Sequence, residues 1–278
     1  MNGHDRRTTL ARDDLASADL EGLVRAIRYI EPTLARVIRP SVAVRESADP
    51  AAGQVDQLLF GELFDRIDDV GGRAFGQARR DGYVGFLEAN ALSTDLREPS
   101  HRVSALRTFG FEAPSIKSPA VGHLSINSLV EVIDENVSLA RVADFGWVPK
   151  GHLTPVGIFA TDPAAIAEKF VGAPYLWGGR DSIGLDCSGL VQQSLYACGR
   201  ACPRDSDQQA LLGREAPRSA LRRGDLVFWR GHVGMMLDEE RLIHANGYHM
   251  AVAVEPLAAA VDRIKSLEDR LPIAWRRL

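Results

Sequence analysis

The 278-residue chain holds three cysteines, and all of them fall in one short stretch: Cys187, Cys198 and Cys202. An odd number placed so closely is no disulfide framework. Cys198 and Cys202 lack the second pair that a zinc site would require, and they read as buried or semi-buried thiols of a reducing compartment. The seven histidines are scattered, so no metal is expected. Long apolar runs are missing too. Arg6 and Arg7 are not followed by the ~7–15 apolar residues of a secretory leader, and no segment approaches the ~18 needed to cross a membrane. The expectation is a cytoplasmic protein. Net charge is −4, from 33 basic and 37 acidic residues. That balance argues against nucleic acid or an anionic membrane as partner.

What is present is the composition of an ordinary globular protein, 45% hydrophobic and 25% charged, with length for two or three domains. Leu15, Leu20, Leu23, Val24 and Ile27 recur at roughly helical spacing and predict a helical arm over residues 1–35. Residues 36–97 then carry strand-like runs at Val37–Arg45, Leu58–Ile67, Ala74–Arg79 and Gly82–Leu87, punctuated by Gly71-Gly72 and Asp81-Gly82. Several short strands in about sixty residues predict a small β-barrel. Residues 98–156 repeat the theme, with a loop at Pro114, Pro119 and Gly122. Both segments close on a glycine-aromatic strand, Gly85-Phe86-Leu87 and Gly146-Trp147-Val148, which suggests related barrels in tandem.

Residues 157–278 differ in kind. Asp162 caps a predicted helix at Pro163–Phe170, and a second helix runs from Cys187 to Cys198. Strands follow at Asp225–Trp229, His232–Leu237, Arg241–Ala245 and Leu271–Leu278. Helices followed by strands make an α+β pattern. Cys187 sits where a glycine-rich loop turns into its helix. The free N–H groups there favour a thiolate, lowering the thiol pKa, and can receive an oxyanion. Two histidines lie on consecutive apolar strands. If these pair as a hairpin around Asp238-Glu239-Glu240, His232 and His244 share a face. One imidazole can then take the thiol proton while the other orients it. Taken singly, a cysteine at a helix start or a histidine on an apolar strand is more often structural. The three in this order and glycine setting point to nucleophilic catalysis.

Tyr175-Leu176-Trp177-Gly178-Gly179-Arg180, Gly184 to Val191, Arg204-Asp205-Ser206, Arg223 to Trp229, Gly231-His232-Val233-Gly234 and Ile243-His244-Ala245 resemble the NlpC/P60 cell-wall peptidases. The segments ahead resemble bacterial SH3 domains, through Leu59-Phe60-Gly61-Glu62 and Asp81 to Phe86. The whole layout is similar to the SH3-bearing γ-D-glutamyl-L-diamino acid endopeptidases, including the dipeptidyl-peptidase VI type.

The resemblance implies a papain-like fold with Cys187 as nucleophile, His232 as base and His244 as polar third member. It implies that Tyr175 covers the site and helps an oxyanion hole, and that Asp186, Ser188 and Asp205 line the substrate groove. Asp205 and Tyr83 would bind the free amine of an N-terminal L-Ala, with Glu62 or Glu46 as a further acid. The implied reaction cuts L-Ala-γ-D-Glu-L-diamino acid peptides after γ-D-Glu, in recycling of wall fragments, with no cofactor. The third residue, diaminopimelate or lysine, stays open. So do two other readings: a binding protein with an inert papain-like domain, and an amidase or acyltransferase on the same fold.

Overall fold

Residues 4–30 form no α-helix. The structure, a computed structural model, describes residues 4–278. Among described residues 4–35 there is no α-helix, only a 3-10 turn at Ala18–Leu20. Ala11–Arg12 pairs antiparallel with Leu15–Ser17, which runs parallel to Arg28–Ile30. The predicted helical arm fails for a physical reason. Leu10 and Leu15 pack with Ile67, Phe75 and Phe86, while Leu23 and Ile27, which would complete a helical stripe, are exposed. Gly22 breaks the run with a φ of +82°.

The chain divides into two compact units, residues 1–156 and 157–278. In the first, a seven-stranded sheet runs Leu92–Ser93, Thr33–Val37, Leu63–Val70, Arg73–Ala78, Val84–Glu88, Ser41–Arg45, Gln54–Leu59. Thr33–Val37 pairs with Leu63–Val70, so the limit expected at residues 35 and 36 falls inside a strand. The run Leu58–Ile67 is two strands, not one. Gly61 turns the chain between them with a φ of +82°, and a Cβ there would meet the Leu129 carbonyl oxygen at 2.0 Å. Valines 37, 42 and 44 with Leu58, Phe64 and Leu87 fill the sheet's interior.

Residues 98–156 form a five-stranded sheet and a three-stranded sheet around Phe60, Val103, Leu124, Val130, Val142 and Val148. Ala120–Ser125 is a strand, so Gly122 lies inside the sheet and not in a loop.

In the second unit Asp162 accepts from Ala164 N–H and starts α1 (Pro163–Glu168). The helix α2 (Cys187–Ala197) is buried at every position. It is followed by the short α3 (Ser206–Gln209). The sheet is antiparallel, in the order Arg214–Glu215, Ala274–Arg277, Leu226–Trp229, His232–Met236, Arg241–Asn246, Ala251–Pro256. α2 packs on the two histidine strands. The last sheet strand leads directly into α4 (Leu257–Glu268), whose Ala260 and Ile264 pack on Val227, Trp229, Met236 and Leu242.

Candidate active site

Cys187 is the first residue of α2, and Asp186 is its N-cap. The Asp186 carboxylate accepts from Gly189 N–H at 2.8 Å and from Gly178 N–H at 2.9 Å. Arg204 grips the same carboxylate with two prongs, Nη1 to Oδ1 at 3.0 Å and Nη2 to Oδ2 at 2.6 Å. Ser188 Oγ donates to Asp186 at 3.1 Å and accepts from Arg204 at 2.7 Å. Gln209 of α3 donates to the Ser188 and Pro203 carbonyls. All three charged or hydroxylic partners are buried. Asp186 and Ser188 were expected to line the groove. Their polar atoms are instead engaged with each other and with Arg204, because a buried carboxylate and guanidinium must satisfy one another. Together they fix the start of the nucleophile's helix.

The thiol itself runs against expectation. Burial pushes Cys187 up to about 12, the Asp186 carboxylate adds to this, and the N–H groups of Val233 and Ser188 oppose it without winning. The helix terminus therefore does not yield a resting thiolate: loss of hydration outweighs about half a unit of positive dipole charge. Cys187 is 6% exposed. Its sulfur is hydrogen-bonded by the backbone of Val233, the residue after His232 in the sequence.

The histidines meet as the register dictates. Met235 faces Ile243, which sets His232 diagonal to His244 on one face of the sheet. His232 Nε2 and His244 Nδ1 are 2.8 Å apart. His244 faces Ala253, and by the same diagonal step its Nε2 reaches Glu255 Oε1 at 2.7 Å. Arg263 of α4 ion-pairs with that same oxygen and lies 4.4 Å over the Tyr248 ring. Burial, then His244, bring His232 down to about 3. Burial also lowers His244, against the pull of Glu255. Burial pushes Glu255 up, yet the hydrogen bonds from His244 and Arg263 outweigh it and hold it at about 2. Both rings are thus neutral at pH 7 and the carboxylate is ionised.

Tyr175 joins His232 and His244 in the wall of a cavity of about 290 Å³ that also includes Tyr248, Arg263 and Arg270; Cys187 is not part of that wall. Burial, then the proximity of Cys187 and Asp186, raise the Tyr175 hydroxyl, so it stays a proton-bearing donor. Asp205 is the N-cap of α3 in a capping box with Gln208, one residue from Arg204. Ligand atoms of His244, His249 and Glu255 lie within 4.8 Å of one another. The Arg263 cation already occupies that carboxylate, which disfavours a metal there.

The comparisons fit this arrangement. Residues 172–263 match the NlpC/P60 family, and residues 44–92 match the bacterial dipeptidyl-peptidase Sh3 domain. The second unit carries an NlpC/P60 family domain. The chain is 37% identical over 186 residues to a γ-D-glutamyl-L-lysine dipeptidyl-peptidase of Bacillus subtilis (strain 168), covering 60% of this chain and 62% of that protein. It is 32% identical over 203 residues to the protein of that name from Bacillus cereus (strain ATCC 10987 / NRS 248), covering 64% and 60%. The chain thus spans about three-fifths of these curated relatives. The crystal structure of a Bacillus cereus NlpC/P60 family protein shares the fold, with a TM-score of 0.74 at 20% identity over 88% of this chain and 99% of that one.

Sequence reasoning did not find Glu255, Arg263, Arg204's grip on Asp186, or Gln209. A signal for the first two existed. Val252, Val254 and Pro256 form a short strand ending in a proline, and Ala260 and Ile264 follow at helical spacing. Tyr83 belongs to the SH3-bearing unit, where it is buried. Glu62 in that unit is 1% exposed, pairs with Arg80 at 2.8 Å and accepts from Leu59 N–H, a structural engagement. Glu46 is exposed.

Proposed function

We propose that this protein is a cysteine peptidase that hydrolyses the γ-D-Glu–L-diamino acid bond of murein-derived peptides bearing a free N-terminal L-Ala. The observation that carries the reading is the His232–His244 contact, with Cys187 at a capped helix start hydrogen-bonded by the backbone of Val233, the residue after His232. The relatives' names support the bond assigned.

With thiol and imidazole both neutral at rest, attack and proton transfer occur together. His232 takes the Cys187 proton as sulfur bonds to the γ-carbonyl carbon. The oxyanion is received by the N–H groups at the α2 start and by the Tyr175 hydroxyl. Catalytic hydrogen bonds that are long or poorly aligned at rest tighten once substrate is bound. His232 then passes the proton to the leaving amine, releasing the diamino acid portion. Water, deprotonated by His232, hydrolyses the thioester and frees L-Ala-γ-D-Glu.

In this proposal the Asp205 carboxylate receives the substrate's ammonium through a charge-assisted hydrogen bond. A cytoplasmic role in recycling wall fragments is part of the reading, and cell fractionation tests it. Activity is measured on L-Ala-γ-D-Glu-L-Lys and on the meso-diaminopimelate analogue. Cys187→Ala lowers turnover at least about a thousandfold; unchanged turnover ends the proposal. Acetylating the alanine nitrogen abolishes cleavage if the amine pocket is real.

A further inference from the structure

We infer that Glu255 is a positioning residue that fixes the tautomers of both histidines and so determines which nitrogen of His232 is basic. The argument follows the protons outward from the carboxylate. Arg263 bonds to Glu255, and an ionised carboxylate accepts hydrogen bonds but donates none. The 2.7 Å contact between His244 Nε2 and Glu255 Oε1 therefore needs a proton on Nε2. A neutral His244 with its proton on Nε2 has a lone pair on Nδ1. The 2.8 Å contact from that Nδ1 to His232 Nε2 is then made by a proton on His232 Nε2. That leaves Nδ1 as the one basic nitrogen of neutral His232.

Without Glu255 the chain of contacts has no fixed sense. His244 could carry its proton on Nδ1 and donate to His232 Nε2, and His232 would then hold its own proton on Nδ1, the wrong state for a base. The register explains why the control lies two strands away. His232, His244 and Glu255 occupy one face of three adjacent strands, each diagonal to the next. α4 lays Arg263 on the same face, so the first strand and the helix after the last act on one imidazole.

The catalytic consequence rests on the peptidase reading; the tautomers do not, and the experiment separates the two. Nitrogen-15 NMR of the histidines reads the tautomers directly in the full chain. In the wild type both His244 and His232 carry the proton on Nε2. Glu255→Leu removes the acceptor while filling similar space. Both rings then become tautomer mixtures and kcat falls about 10- to 100-fold, with KM within about twofold. Glu255→Gln keeps a carbonyl acceptor, retains the wild-type tautomers and restores most of kcat. A wild-type His232 with its proton on Nδ1 overturns the inference. So does a folded Leu variant with unchanged tautomers, whatever its activity. Should the Leu variant fail to fold, the wild-type and Gln spectra decide. Should the wild type cleave no peptide, the peptidase reading fails and the tautomer result still stands.

Discussion

Two carboxylate–arginine pairs flank the candidate site, and they do different work. Under the nucleophile, Asp186 and Arg204 are 7% and 1% exposed and are bound by two prongs, with Gly178, Gly189 and Ser188 completing the shell. Behind the base, Glu255 and Arg263 are 14% and 15% exposed, share one oxygen with His244, and border a cavity through Arg263. The first pair is closed on itself and sets where a helix begins. The second is open at one end and transmits a proton preference. Burial decides the difference: a fully desolvated ion pair must saturate its own hydrogen bonds, whereas a part-solvated one has capacity left for a ring nitrogen.

The sharpest break in this comparison is Arg204→Met. It leaves Asp186 buried without its cation, and destabilisation of about 3–5 kcal/mol is expected in a urea melt. Arg263→Met leaves a carboxylate that water can reach and costs about 1 kcal/mol. Equal losses from the two variants would mean that burial does not separate the pairs.

Much of the first pair's setting was legible in the sequence and most of the second's was not. Asp186 before Cys187, with Gly189 three residues on, announces a helix cap by spacing alone. The diagonal placement of His232 and His244 follows from alternation on two apolar strands and a turn at Asp238. Glu255 and Arg263 were illegible as a site because their meaning comes from sheet order: Ala251–Pro256 has to be the neighbour of Arg241–Asn246 before Glu255 can reach His244. The thiol pKa was misread for a related reason. A helix start is visible in sequence, while burial is a property of the packed unit. The arm at the N-terminus shows the converse error. Leucines at helical spacing there are divided between a sheet contact and solvent once Gly22 breaks the run.

The second test is acid. His232 falls from its ordinary 6.5 to about 3 on folding, so between those values the unfolded chain binds a proton that the folded chain refuses. Stability is then fully present above pH 6.5 and declines as pH falls toward 3, by at most about 1.4 kcal/mol per pH unit for one proton. The slope expected in a melt is smaller, because His232 is part-exposed and solvent screens it. Glu255, brought from 4.5 to about 2, adds its own loss as pH drops through that lower window. Thermal melts across pH 7 to 3 should show this decline, and His232→Asn should flatten its upper part. A slope that His232→Asn leaves intact would remove His232 from the account of acid sensitivity.

The mildest change discriminates between a groove role and a seat role for Ser188. Its hydroxyl makes two bonds, one to Asp186 and one from Arg204. Ser188→Ala removes both, yet Arg204 Nη1 still reaches Asp186 Oδ1 at 3.0 Å, so no buried charge is orphaned. The expected destabilisation is about 1 kcal/mol, with KM for the peptide substrate changed less than about twofold, since a hydroxyl engaged beneath the helix has nothing left for a ligand. A tenfold rise in KM at unchanged stability would be about 1.4 kcal/mol of lost substrate binding. That result would return Ser188 to the groove, and the closed character of the Asp186–Arg204 pair would go with it.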